Sequence, residues 1–517
     1  LTGRIVARNA PDRKVFGPGY GIIPAMSEPA FRVSTSDLAG IRADLLVIPV
    51  ASGGKRGPVA PEGAAKALGL GELASPAITA RHGFRADLGS TLMLPGPDKS
   101  VLLVGTGPAD GAGADGAIRA AAMRAGLSAR PFATVATLLP SQGSEQAAAF
   151  AEGFLMGAHR FDWLKTAPEP NRTKTVTVYT DAEHKSAVRK GLDRGREIGS
   201  AMNWARELTD TPPSVATPEY LADQARKMAK TFGLTCKVWN RAALEKGGFG
   251  GILAVGRGGV NEPRMVELTY AGGRAGATPI AVTGKGITFD SGGLNIKSTD
   301  EMVWMRSDMA GAAAALATMR TMAALGVKQN VIAAIPFAEN IPGPASYRPG
   351  DVIRHRGGKT SQVLDTDSEG RVLLADALAY LCERKPSVLL DSATLTDGSG
   401  LGVEVWAAMG NDREAVAELV AAGTKAGDPG WEIPLWQPYR KLIDSPVADV
   451  KNVGDHNTDS SMMAGLFLQT FVDPAVPWVH VDSGSTAWAE YDRDAWPEGA
   501  TSSPARAFVR FIEDRAR

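Results

Sequence analysis

The feature that most constrains this chain is the alternation of short apolar runs with helical patterns through its second half. Met265 to Tyr270, Pro279 to Thr283, Asn330 to Pro336, Ser387 to Leu390 and Trp478 to Val481 have strand length and composition, and Gln362 to Leu364 is a shorter candidate. Among them, Ala310 to Leu325, Gly370 to Arg384 and Arg413 to Ala426 repeat their apolar residues with a helical period. Uninterrupted apolar strands are buried on both faces, and parallel neighbours need a helical crossover to connect them. The pattern predicts an α/β fold with a largely parallel mixed sheet covered by helices.

The first half repeats the theme on a smaller scale. Strands are expected at Ala43 to Val50, Ser100 to Val104, Thr134 to Leu139 and Thr175 to Thr180, and helices at Gly116 to Ala125 and Glu145 to Met156. This predicts a small N-terminal α/β domain over residues 1–182, whose first 30 residues read as a tail. Lys185 to Leu208 is a long helical pattern stopped by Pro212-Pro213, so residues 183–209 are expected to form a linker helix and 210–517 a second domain. Thr217-Pro218-Glu219 reads as the next helix start, with threonine as cap and proline at the first helical position. Gly105-Thr106-Gly107-Pro108-Ala109-Asp110 invites a dinucleotide-loop reading. However, Asp110 stands where a third glycine belongs and Pro108 lacks a donor, so a plain strand–helix turn fits better.

Charge and cysteine usage narrow the function classes. Among 517 residues, 56 basic side chains balance 56 acidic ones, so no global field points to nucleic acid or to a membrane surface. Two cysteines, Cys236 and Cys382, form no CxxC pair, which suits a reducing, cytoplasmic setting. No apolar run is long enough to span a bilayer, and the first residues contain no secretory h-region.

The chemistry concentrates in three segments. Gly284-Lys285-Gly286-Ile287-Thr288-Phe289-Asp290-Ser291-Gly292-Gly293-Leu294-Asn295-Ile296-Lys297 follows a predicted buried strand, where open α/β sheets bind ligands. The other two are Met305-Arg306-Ser307-Asp308 and Asp365-Thr366-Asp367-Ser368-Glu369-Gly370-Arg371. Asp290, Asp308, Asp367 and Glu369 would neutralise two divalent ions, and a pair of ions needs shared carboxylates. By spacing alone these acids also read as solvated loop residues, because carboxylates lack the diagnostic spacing of Cys/His sites. Lys285 and Lys297 flank the first acid. A neutral lysine can ligate a metal and a charged one can stabilise an oxyanion. Each also reads as a surface lysine. Arg371 at a predicted helix start suits an anion, or simply a helix surface. None of the six histidines lies in these segments, and His355 and His480 read as structural. Without a His base or a Ser-His-Asp pattern, metal-activated water is the better nucleophile.

At these residues the chain resembles the leucyl aminopeptidase family, the di-metal cytosol aminopeptidases. The resemblance runs from about Asp210 to the C-terminus and, weakly, through the N-terminal part. It implies a small N-terminal macro-like α/β domain, a linker helix, a catalytic α/β domain and a homo-hexamer acting on peptides. By the same resemblance, Lys285, Asp290, Asp308 and Glu369 would bind one ion. Asp290, Asp367 and Glu369 would bind the other, with manganese, zinc or magnesium as candidates. Lys297 would be the charged catalytic lysine, and Arg371 would hold a bicarbonate acting as general base. The implied activity removes N-terminal residues from peptides with a two-metal-activated water.

The sequence also departs from the family. Asp365 and Ser368 replace the usual asparagine and alanine. Around the pocket for the first side chain, Met305 and Thr394 match, whereas Asp397, Ser483 and Thr486 are unusual. They predict a smaller, more polar and more acidic pocket, favouring small, polar or basic first residues over leucine. The loop Gly454 to Ser461 departs as well, without an evident consequence. The alternative function is a hexameric binding or scaffold protein, for DNA or a ligand, with weak or no peptidase activity. A neutral net charge argues against DNA.

Overall fold

The computed structural model describes residues 28–36, 40–53, 58–59, 81–96, 99–108, 115–140, 143–396, 398, 400–454, 458–491 and 496–517. Residues 1–27 of the expected tail, Ala109 and Asp110 of the expected turn, Asp397, and Asp455 to Asn457 of the departing loop lie outside them, and Ala30 already begins a strand. Within the described residues the strands gather into two main sheets. The first runs in the order Ala30–Ser34, Thr175–Tyr179, Thr134–Leu138, Leu45–Ser52, Ser100–Pro108, Thr91–Leu94, and is parallel except at its last pair. Gly105 to Pro108 continue a strand rather than opening a turn. The helices Asp115–Ala129 and Ser144–Ala158 pack on one another and then on the helix Lys185–Asp210. That helix also packs against Ala310–Leu325, so it joins the two α/β units physically as well as in sequence.

The second sheet runs Gly430–Glu432, Trp406–Gly410, Trp478–Asp482, Val388–Ala393, Ile280–Gly284, Asn330–Asn340, Arg264–Ala271, Thr235–Trp239. Its four central strands are parallel, and antiparallel strands flank them on both sides. The centre is parallel because Ile280–Gly284 and Val388–Ala393 are buried throughout and tolerate helices on both faces. One apolar layer gathers Ala312 to Met322 with Val282, Leu390 and Val481; the other gathers Val372 to Leu381 with Ala281 and Leu389. No helix among the described residues is long and apolar enough to cross a membrane.

Three local outcomes matter for function. Thr217 caps the helix Pro218–Phe232, its hydroxyl accepting the Tyr220 amide at 3.3 Å. Ile287 to Asp290, expected as loop, form a strand that pairs with Ala338 to Asn340 after a bulge, so Asp290 sits at a strand end. The expected strand Gln362 to Leu364 lies earlier, at Thr360–Gln362, which leaves Val363 to Ser368 as the approach to the next helix.

The helix Ala310–Leu325 touches the sheet through its second residue. Lys285 donates its amide to the Ser392 carbonyl at 2.9 Å, and Ala312 donates to the Lys285 carbonyl at 2.9 Å. A Cβ on Gly311 would stand 2.1 Å from the Ser392 carbonyl oxygen. Gly311→Ala must therefore push the helix off the strand ends. It should lower the unfolding free energy by about 1–3 kcal/mol, the usual range for overpacking, as read by denaturant titration of the metal-free protein.

Candidate metal centre and active site

The central strands end at Gly284, Ala393 and Asp482, and the chemically active residues gather just beyond those ends. Lys285 is the first residue past its strand. Its Nζ lies 2.8 Å from Asp308 Oδ1 and 2.8 Å from Glu369 Oε1, and donates to the Thr394 carbonyl at 3.0 Å. Lys297 Nζ lies 3.1 Å from Asp290 Oδ2 and 2.5 Å from Asp367 Oδ1. Oxygens of Asp290, Asp367 and Glu369 all lie within 4.8 Å of one another. Asp308 stands on the other side of Lys285 and also accepts the Thr394 hydroxyl at 2.7 Å. Segments separated by up to about 80 residues of chain thus deliver four carboxylates and two amines to one place.

Burial makes this costly. Glu369 is 0 % exposed and Asp290 1 %, and Asp308 Oδ2 and Glu369 Oε2 are buried with no hydrogen-bond partner. Leaving a buried acceptor unsatisfied costs roughly 1–3 kcal/mol, more when it is charged. Burial pushes the Asp308 and Glu369 carboxyls up, and the charge of Asp290 adds to the rise at both. Burial, followed by Asp290, raises Asp367 to about 7. The lysines respond the other way. Burial alone pulls each ammonium down, but Asp308, Glu369 and Asp290 outweigh it at Lys285, and Asp290 and Asp367 do so at Lys297, leaving both raised. Each ammonium stands between carboxylates, in the position of a cation. A neutral, ligating Lys285 therefore requires the local charge of divalent ions to displace its proton. Four carboxylates against two ammonium groups, with orphaned oxygens among them, fit further positive charge, and an oxygen-rich set with one amine fits divalent first-row ions or magnesium.

Arg371 opens the helix Glu369–Cys382 and is buried. Its Nη1 donates to the Asn452 carbonyl at 2.9 Å, whereas Nε has no hydrogen-bond partner. Burial, more than any neighbour, pulls its pKa down. Met305 belongs to the short turn Met305–Ser307 that delivers Asp308. The pocket hydroxyls are engaged within the chain. Ser483 Oγ lies 3.1 Å from Ser392 Oγ and donates to the Ala393 carbonyl at 3.3 Å, and Thr486 Oγ1 donates to the Ser483 carbonyl at 3.3 Å.

Asn340 and Tyr347, both at the site, escape sequence reading. The Asn340 side chain donates to Asp290 Oδ1 at 2.7 Å and to the Thr366 carbonyl at 2.9 Å, and the Tyr347 hydroxyl donates to the same carbonyl at 2.8 Å. Asp365 accepts the Asp367 amide at 2.9 Å and the Ser368 hydroxyl at 3.1 Å, folding the loop ahead of Glu369. Asn340 ends a strand that runs four residues past its expected end at Pro336, and two past the apolar stretch that closes at Ala338.

His355 and His480 are buried and bonded within the protein, as a structural role requires. The fold does assemble a Ser-His-Asp array that spacing does not reveal. His355 Nε2 lies 2.7 Å from Ser361 Oγ, and its Nδ1 lies 3.3 Å from Asp376 Oδ1. All three are buried, and Phe471 packs 4.6 Å from the imidazole, so no substrate reaches them. His480 and Trp478 both bond the buried Asp391 at 2.6 Å.

Comparison with known proteins decides what this arrangement belongs to. Residues 203–509 match the catalytic domain of the cytosol aminopeptidase family, and residues 47–168 match that family's N-terminal domain. The chain belongs to the cytosol aminopeptidase family. A probable cytosol aminopeptidase of Roseiflexus castenholzii is 39% identical over 81% of this chain and 88% of its own length. One from Streptomyces griseus is 38% identical over 94% of this chain and 99% of its own. Among solved structures, the bottromycin maturation enzyme BotP in complex with Mn is 32% identical, with a TM-score of 0.80 over 92% of this chain and all of its own. A tomato leucine aminopeptidase variant, 24% identical, shares the fold with a TM-score of 0.84 over 96% of this chain and 98% of its own.

As a member of this family the chain is a metal-dependent peptidase with a divalent metal cofactor, acting on the N-terminal residues of peptides. The binding or scaffold alternative is not favoured. Gly370 gives a local test of the geometry. A Cβ there would stand 2.6 Å from Lys285 Cδ and Cε and 2.8 Å from Leu395 Cδ2. Gly370→Ala displaces the Lys285 side chain, and kcat/KM on an unblocked dipeptide should fall on the order of 100-fold with little change in the melting temperature of the metal-free protein.

Proposed function

We propose that Lys285, Asp290, Asp308 and Glu369 hold one divalent ion and that Asp290, Asp367 and Glu369 hold a second, with Asp290 and Glu369 shared. The observation that carries this reading is the convergence of buried carboxylate oxygens within 4.8 Å, together with oxygens that have no partner in the protein. Manganese and zinc are the first candidates, and magnesium follows. Bound ions would supply Lewis-acid polarisation of the peptide carbonyl and activate the attacking water.

The chain's own groups complete the chemistry. Lys297 reaches the acids from the rim of the site and keeps its proton. Its ammonium is positioned to stabilise the negative charge that develops on the carbonyl oxygen. Arg371, with a free Nε at a helix N-terminus, would hold bicarbonate as the proton acceptor. The substrate's free α-amine would bind an ion held by these residues, which would restrict cleavage to the first peptide bond. We assign residues 1–182 to an N-terminal domain, 183–209 to the linker and 210–517 to the catalytic domain, acting as a homo-hexamer in the cytoplasm.

The first-residue pocket, formed by Met305, Thr394, Asp397, Ser483 and Thr486, is proposed to favour small, polar or basic residues. Because the hydroxyls of Thr394, Ser483 and Thr486 are engaged within the chain, this preference rests on Asp397.

Two experiments test the reading. Chelation should abolish hydrolysis and manganese should restore it, while Lys297→Ala should lower kcat on the order of 100- to 1000-fold at saturating metal. Unchanged turnover in that variant would exclude this site as the source of activity. On Leu-, Ala-, Arg- and Gly-initiated dipeptides, leucine should not be preferred, and Asp397→Gly should move the preference toward leucine. A strong leucine preference in the parent protein overturns the pocket assignment. Light scattering on the same sample should report six chains per particle.

A further inference from the structure

The two halves of the metal centre come from loops that are distant in sequence, and one buried amide touches both. Asn340 is 1 % exposed and ends the strand Asn330–Asn340, directly beside Asp290 in the register. An amide nitrogen has two hydrogens to donate. Here one goes to Asp290 Oδ1 at 2.7 Å and the other to the Thr366 carbonyl at 2.9 Å, the residue before Asp367. The Gly292 amide donates to the same Asp290 oxygen at 2.8 Å. Two N–H groups therefore hold Oδ1, and Oδ2, the atom facing Lys297, points into the centre.

We propose that Asn340 is a positioning residue for the metal centre. It fixes the rotamer of Asp290 and ties that carboxylate to the loop carrying Asp367 and Glu369. Both ion sites then share one spacing. Lys297 also spans both halves, but as a charge between Asp290 and Asp367. Among the neutral described side chains only Asn340 donates to both: Tyr347 reaches the Thr366 carbonyl but not Asp290, and Asp365 orders only its own loop. The Thr366 hydroxyl, which donates to the Gly292 carbonyl at 2.7 Å, joins the loop backbones without touching a carboxylate. Isolated carboxylates would repel and turn toward solvent, and groups that orient ligands typically carry a 10–100-fold share of metal affinity.

This inference rests on the proposed di-metal site, and manganese binding separates the two. The probe is manganese alone, titrated into the metal-free full-length protein by calorimetry and by the metal-induced rise in melting temperature. The parent chain should bind two ions; if it binds none, the metal-site reading fails. Asn340→Ala should weaken manganese binding about 10–100-fold, whereas Tyr347→Phe, which removes only the second bond to the Thr366 carbonyl, should change it less than about threefold. Hydrolysis by the alanine variant should recover as manganese is raised, which a merely misfolded protein would not do. Should the alanine variant fail to fold, Asn340→Ser, which can satisfy only one acceptor, gives the same comparison. Two ions bound with parental affinity in the Asn340 variant, or equal losses in the Asn340 and Tyr347 variants, would overturn the assignment.

Discussion

The structure turns on the confinement of like charges. Four carboxylates are gathered just beyond the ends of buried parallel strands, largely out of reach of water, and burial raises the affinity of Asp308, Asp367 and Glu369 for a proton. Such an arrangement persists only because the surrounding scaffold is rigid and because positive charge is supplied. The lysines supply part of it from within the chain, and the orphaned oxygens of Asp308 and Glu369 mark where more is accommodated. Stability and function are opposed here, as they commonly are at active sites. The layers of alanine, valine and leucine on both faces of the sheet provide the stability that the acids consume.

The parallel topology explains why this confinement is possible at one edge. Successive parallel strands all end on the same side, so loops far apart in sequence meet there. The short strand Ile287–Asp290 extends the sheet locally and replaces a flexible approach with a paired one. The helix Ala310–Leu325 then closes on the strand ends through Gly311, and the helix Glu369–Cys382 closes beside Lys285 through Gly370. Both contacts leave no space for a side chain, so the lysine has little choice of rotamer.

Much of this was legible in the sequence, for physical reasons that differ by element. Ile280–Gly284 and Val388–Ala393 announce themselves because burial on both faces demands unbroken apolar runs, and Ala310–Leu325 and Arg413–Ala426 because glycine follows each at its C-terminal cap. The acids were identifiable as a set through the three motif segments. Trp406–Gly410 and Gly430–Glu432 are too short and too rich in glycine and alanine to stand out. The helix Ala505–Arg515 does have a stripe in Phe508, Phe511 and Ile512, but it follows the last predicted strand and is diluted by arginine. Asn340 and Tyr347 were not legible at all, because their partners lie 19 to 50 residues away and no local pattern encodes a hydrogen bond across a sheet. The sealed Ser361-His355-Asp376 array shows the reverse: familiar geometry without access has no chemistry to offer.

The order of the proposed metal ligands along the chain bears on folding. Lys285 and Asp290 precede the crossover helix Ala310–Leu325, while Asp367 and Glu369 lie between the strands Thr360–Gln362 and Val388–Ala393, the second of which pairs with Ile280–Gly284. A partly synthesised or partly unfolded chain therefore cannot present the set together. Under the proposed assignment, hydrolysis is switched on by folding itself, and no loose hydrolase accompanies a polypeptide still being made.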